Sequence, residues 1–285
     1  MEKEKIEDPF VPPADAANEH IRVFAWKQAK ANYRQFVMVA LIGCIPLIAS
    51  LFILFDKSIF VNTIWATLIL YLLRLAFTPL TIGVIAYSYD IYLYGTAGYK
   101  KIFSFYKEKR SLITSFLLGL FNIFLSSAYT AANRLIKIFT GYNPWIDAVL
   151  SFVSFIVFIF LLYFTTRFYL LTYVFINDAN KNVRSVIKEG FAYTKGWVHR
   201  IFWFEITVIW WIIILIIGCL IVFAISCSII KLFIENILWL NIYYIFFITV
   251  MFITYIFAIP YVNTALAGYA HKILLNNNPS IQDKN

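Results

Sequence analysis

Charge is scarce in this chain, and cysteine scarcer still. Charged residues make up 14% of the 285 positions and hydrophobic ones 62%, whereas a soluble domain carries about 25% charge. That shortage excludes an ordinary soluble domain, because the polar side chains are too few to cover one. The longest polar stretch is the N-terminal 34 residues, too short to bury a core of its own. The three cysteines, Cys44, Cys219 and Cys227, all lie in apolar runs, without a CxxC pair. They read as small buried hydrophobes rather than as a disulfide framework. Catalytic signatures are missing as well: there is no HExxH, no GxSxG and no P-loop. His20, His199 and His271 fall outside the apolar runs without metal-ligand spacing, and each reads as a solvated interfacial histidine. No acid stands near the middle of an apolar run, which argues against a carboxylate proton relay. Accordingly no catalytic residue, cofactor site or metal ligand is assigned, and the chain is expected not to be an enzyme.

What is present is a set of long apolar runs separated by short segments of alternating basicity. If every second segment is placed on one side, 18 Lys and Arg fall there against 4 on the other. Cytoplasmic segments retain Lys and Arg, so the split predicts six spans with both termini inside. The fold class expected is all-α: a polytopic bundle of six transmembrane helices with basic interfacial amphipathic helices on the cytoplasmic side. Residues 1-35 form a cytoplasmic juxtamembrane segment, 36-275 the transmembrane domain and 276-285 a cytoplasmic tail. The first apolar run begins near Gln35 after a mixed-charge segment, so the first span is expected to serve as an uncleaved insertion signal.

The six spans are Phe36–Phe55, Ser58–Tyr89, Ser111–Asn133, Ala148 towards Ile176, Ile206–Ile230, and a stretch within Asn236–Ala270. Span two would measure about 48 Å as a helix against a hydrocarbon core of about 30 Å, so it must tilt, bend at Pro79 or protrude. Pro260 is expected to bend or end the straight part of span six. The outer connections, Asp56–Lys57, Arg134–Asp147 (with the turn-like Gly141-Tyr142-Asn143-Pro144) and Lys231–Glu235, are all short. Interactions are therefore expected on the inner face or in the bilayer.

Arg74 is the strongest single anomaly, since an arginine near the bilayer centre costs at least about 3 kcal/mol. It is a candidate functional or structural residue, with Asn122 in span three as a polar partner; Arg167, near the inner end of span four, can snorkel. Tyr87, Tyr89, Tyr92, Tyr94 and Tyr99 follow span two and read as an aromatic belt. Both inner loops carry an acid, then a basic amphipathic stretch. At 100° per residue, Val183, Val186, Ile187, Phe191, Tyr193, Thr194, Trp197, Val198 and Ile201 share one arc, opposite Lys181, Arg184, Lys188, Glu189, Lys195, His199 and Arg200. The pattern predicts one interfacial helix over Lys181–Ile201 and a shorter one over Lys100–Lys109. The candidate inner-face interaction residues are Lys100, Lys101, Asp178, Lys181, Arg184, Lys188, Lys195, Trp197 and Arg200.

On these inner-face segments the chain resembles a family of bacterial six-span membrane proteins known only as domain of unknown function 975. Ala29-Lys30 fits its juxtamembrane helix. Asp178 followed by Gly196, Phe202 and Trp211 fits its signature entering span five, Pro260-Tyr261 with Tyr269 fits its close, and Pro79 to Tyr94 matches loosely. Gly190 stands where that family usually has Ser. The resemblance implies architecture and transfers no catalytic residue.

The leading expectation is a non-enzymatic multi-pass cell-membrane protein, accessory or regulatory, whose basic cytoplasmic face binds anionic lipid head groups or a protein partner. Attraction to lipid explains the net charge of +9 better than nucleic acid does, because the bases cluster beside spans. A transporter or exporter subunit is the alternative, supported by Arg74 and the Pro-interrupted spans two and six. A lipid enzyme using Asp90, Asp178 and Glu205 at the inner interface comes third.

Overall fold

The computed structural model describes residues 16–45, 63–138, 144–208 and 238–277, with isolated positions between 210 and 221. Every regular element among the described residues is helical, so the all-α expectation holds. Helix α1 (Asn18–Ala31) meets α2 (Tyr33–Gly43) at Asn32, whose amide donates to the Gln28 carbonyl at 3.1 Å and across to the Gly95 carbonyl at 2.8 Å. The remainder of the first span, with Pro46 and the Asp56–Lys57 turn, lies outside the described residues.

Helix α3 (Thr63–Tyr94) runs through Pro79 without interruption and stops at Gly95, which has φ 70°. Its 27-residue stretch Leu68–Tyr94 is, among the described residues, the one long and apolar enough to cross a membrane. A 3-10 segment (Tyr99–Tyr106) then leads into α4 (Lys109–Ile138). That segment replaces the short helix expected over Lys100–Lys109. Its backbone lies directly on α3, because a Cβ at Gly83 would coincide with the Ile102 carbonyl. Only glycine permits this approach. Helix α5 (Pro144–Asn177) starts on a proline, where the missing N–H is harmless and φ is already helical. Helix α8 (Leu238–Asn277) continues through Pro260 for 40 residues. Pro260 therefore does not end it.

The single helix expected over Lys181–Ile201 is two elements. Helix α6 (Val183–Thr194) ends at Lys195, and Gly196 takes φ +82° before the chain turns into α7, helical over 198–208. A left-handed residue just past a helix terminates it, and glycine adopts that conformation without a Cβ penalty. The shared arc drawn through Trp197, Val198 and Ile201 is broken there. The helix that follows accordingly begins at residue 198, eight residues before the apolar run at Ile206. Helix α6 buries Val186, Gly190 and Thr194, the i, i+4, i+8 ridge that faces a neighbouring helix. Gly190 lies against Leu171 of α5. Ile187, placed on the same arc, is exposed.

Helices α3 and α5 change character along their length. At one end, large apolar side chains point outward: Leu72 on α3, Phe124 (68% exposed) on α4, Phe152 (64%) and Ile156 on α5, Ile214 and Ile221 beyond α7. At the other end the space between the helices is filled, although Trp26 and Trp203 remain exposed on the outside. One buried cluster joins Ile21 of α1, Tyr92 of α3, Phe105 of the 3-10 segment, Phe175 of α5, Val186 of α6, Ile201 of α7 and Ile273 of α8. All the segments assigned to the inner side thus converge on one end. Residues 16–35 belong to this core rather than standing apart from the bundle, with Ile21, Ala25 and Ala29 buried along one face of α1.

Candidate functional site

A collar of basic residues surrounds the sealed end. Of the candidate interaction residues, Lys100, Arg184, Lys188, Lys195 and Arg200 are exposed. Lys101 and Lys181 are engaged internally: Lys101 Nζ lies 3.1 Å from Asp90 and Lys181 Nζ 2.6 Å from Glu189. Both pairs are partly solvated, so each adds at most about 1 kcal/mol. Their consequence for the collar is that two of its cations are already neutralised. Asp178 is exposed and accepts the Asn180 backbone N–H at 3.1 Å, closing a turn after α5. Arg110 donates to Asn182 Oδ1 at 2.6 Å, fixing the entry to α6. The Arg200 guanidinium sits 5.2 Å over the Trp197 ring, within cation–π range. The sequence placed Trp197 with Phe191 and Val183 on an apolar face, and the ring does pack against the buried cluster while also carrying this cation.

Inside the collar lies a polar chain that the sequence reading missed. His271 is 4% exposed, not solvated. Asn177 Nδ2 approaches the Tyr89 hydroxyl oxygen at 3.4 Å, and that hydroxyl lies 3.0 Å from His271 Nδ1. With Asn177 donating, the Tyr89 O–H is free to donate onward, which leaves the imidazole proton on Nε2. Burial pushes the His271 imidazole down to about 4, because desolvation disfavours the cation. The tyrosine belt is revised for the same reason. Tyr87, Tyr89 and Tyr92 are buried, whereas Tyr94 and Tyr99 remain exposed. Tyr87 donates to Gln35 Oε1 at 3.0 Å, and Tyr92 meets Phe24 edge-on. They are core residues, covered by α1 and the 3-10 segment. Cys44 is buried as expected, while Cys219 and Cys227 lie outside the described residues.

Where the sealed end meets the apolar band, five helices line a half-open cavity of about 240 Å³. Its polar lining includes Asn122 of α4, Thr166 and Thr172 of α5, Glu205 of α7 and Asn263 of α8. Glu205 precedes span five by one residue on the sequence bounds, yet it faces inward. Burial pushes its carboxyl up to about 7, opposed by a hydrogen bond from Thr166 that favours the carboxylate. Asn122 therefore belongs to this cavity. Arg74 lies on the exposed side of α3, with its carbonyl accepting from Thr78 Oγ1 at 2.9 Å, and it is not part of the lining. Arg167 belongs to α5, next to Thr166. The signal that would have found Glu205 was an acid at the head of an apolar helix. Its neighbours come from four other helices, so spacing alone could not show them.

No family model matches this chain, and no curated protein or solved structure matches it either.

Proposed function

We propose that the chain is a six-span integral protein of the cell membrane, with both termini cytoplasmic, serving a non-enzymatic accessory or regulatory role through anionic head groups held at its basic collar. One observation carries this reading. Exposed Arg184, Lys188 and Lys195 adjoin the end of the bundle from which the outward-facing apolar band begins. Anionic head groups occupy that position beside a hydrocarbon layer, where each base contributes about 1 kcal/mol. Large apolar side chains on the outside of α4 and α5 need lipid or a partner to cover them, and lipid fits a band shared by several helices. The resemblance to the six-span family belongs to this reading and adds a plan without an activity.

Two measurements test it. Cysteines introduced at Lys57 or Asn143 should label from outside in intact cells, and one at Lys188 only after permeabilisation; the reverse pattern overturns the threading. Purification in mild detergent should retain anionic phospholipid, and Arg184→Glu with Lys188→Glu should release it. Retention of a stoichiometric protein in place of lipid would overturn the lipid assignment. A transporter subunit is the second reading, favoured by the polar cavity between five helices.

A further inference from the structure

We propose that the cavity around Glu205 is a binding site for a small organic ammonium ion, with the carboxylate holding the cationic head and the apolar wall holding the body. Three features of the cavity select this ligand. The first is size: a cavity of about 150 Å³ accommodates benzene, so one of about 240 Å³ suits a guest of about ten non-hydrogen atoms. A bare metal ion would leave most of that space unfilled. The second is the division of the lining. Glu205, Asn122, Thr166, Thr172, Tyr173 and Asn263 contribute polar groups to the lining, and Ile85, Leu118, Phe121, Leu171 and Leu266 contribute apolar ones. Sites for amphipathic small molecules have this composition, mostly apolar with a few convergent polar groups.

The third feature is charge. Among the described residues, the ion pairs are those of Asp90 with Lys101 and Glu189 with Lys181; Glu205 has the Thr166 hydroxyl as its hydrogen-bond partner. A desolvated carboxylate is stabilised by a cation brought into the same space. Its raised proton affinity fits a site that exchanges a proton for an ammonium ion. Anionic or neutral guests lack this complementarity. The site differs from the collar in place and in charge, and it stands whether or not the collar binds lipid.

The test uses the full chain in detergent micelles at pH 8, with propylammonium, benzylammonium, sodium and potassium as probes and thermal stability and calorimetric binding as readouts. Propylammonium and benzylammonium should bind saturably and raise the melting temperature, and matched concentrations of sodium or potassium should not. Glu205→Gln should weaken binding at least about tenfold, the loss expected for a charge-assisted hydrogen bond. Asn263→Leu fills part of the cavity without touching the Thr166 contact, so it should weaken benzylammonium more than propylammonium even if Glu205→Gln fails to fold. Lys188→Ala, outside the cavity, should leave both affinities unchanged. No saturable response to either amine overturns the site. An equal response to amines and sodium, or undiminished amine binding in Glu205→Gln or Asn263→Leu, also overturns it.

Discussion

Replacing His271 with Asn should make the protein less sensitive to acid, and the structure supplies the magnitude. In the unfolded chain the imidazole titrates near 6.5, whereas burial holds it at about 4 in the fold. Between those values the unfolded state binds a proton that the folded state refuses, so stability falls as pH falls. The contribution is fully present above 6.5 and is lost progressively down to about 4. From pH 8 to pH 4.5 the gap is worth about 2.5 kcal/mol. Glu205 works in the opposite direction. Its carboxyl is raised to about 7, so its contribution is present below the ordinary carboxyl value and is lost as pH rises through 7. The two overlap, and the wild-type profile alone would blur them. The informative quantity is the difference between wild type and His271→Asn at each pH. Asn keeps an acceptor near the position of Nδ1 for the Tyr89 hydroxyl but cannot titrate. The penalty of the substitution should therefore shrink by about 2.5 kcal/mol between pH 8 and pH 4.5, which corresponds to about 5–10 °C in melting temperature for a chain of this size. Melting in mild detergent, followed by tryptophan fluorescence, measures it. A penalty that stays the same at both pH values would refute the reasoning, since it would mean that the buried imidazole accepts its proton as freely as one in water.

Gly83→Ala should destabilise the fold by about 2–3 kcal/mol in the same melting assay, because its Cβ meets a backbone carbonyl rather than a side chain that can turn away. Gly196→Ala should lower stability by about 1 kcal/mol through its positive φ, with little change in the α6 contacts. Arg74→Leu should shift stability by less than about 1 kcal/mol, and Arg74→Lys should stay close to wild type, because Arg74 is exposed on α3 and contacts of an exposed charge contribute little; a large loss on Arg74→Leu would refute this. A double-mutant cycle on Lys181 and Glu189 should give a coupling below about 1 kcal/mol, shrinking with salt.

The long helices were legible because uncharged runs such as Ser111–Asn133 are too long for strands and carry few turn residues. Their ends were harder to read. Lys109 and Pro144 start helices that the charge boundaries place two and four residues later, since charged and polar residues are compatible with the first turn of a helix. The break at Gly196 did have a local signal, a glycine just after a periodic stretch, but the 100° arc absorbed it because Trp197 and Ile201 happen to fall on the apolar side. Other features were not readable at all. Tyr87, Tyr89, Tyr92 and His271 look interfacial when only chain neighbours are considered, and they are buried because α1, the 3-10 segment and α6 fold over them from far away in sequence. Asn122 was singled out, but as a companion for Arg74; its place in a cavity with Glu205 depends on how five helices cross.

Helices α1 and α8 meet at the sealed end: a Cβ on Gly268 of α8 would press on the Tyr92 ring and on Ile21 of α1, and Lys272 donates to the Ala16 carbonyl. Synthesis proceeds from one of these partners to the other through the whole bundle. Helix α1 can meet α3 early, through Phe24 on Tyr92, but Ile21 lacks its α8 neighbour while every intervening helix is made. Only when the turns around Gly268 emerge is that side of α1 covered. A ribosome stalled before residue 268 would leave the α8-facing side of α1 uncovered and open to chaperones and proteases.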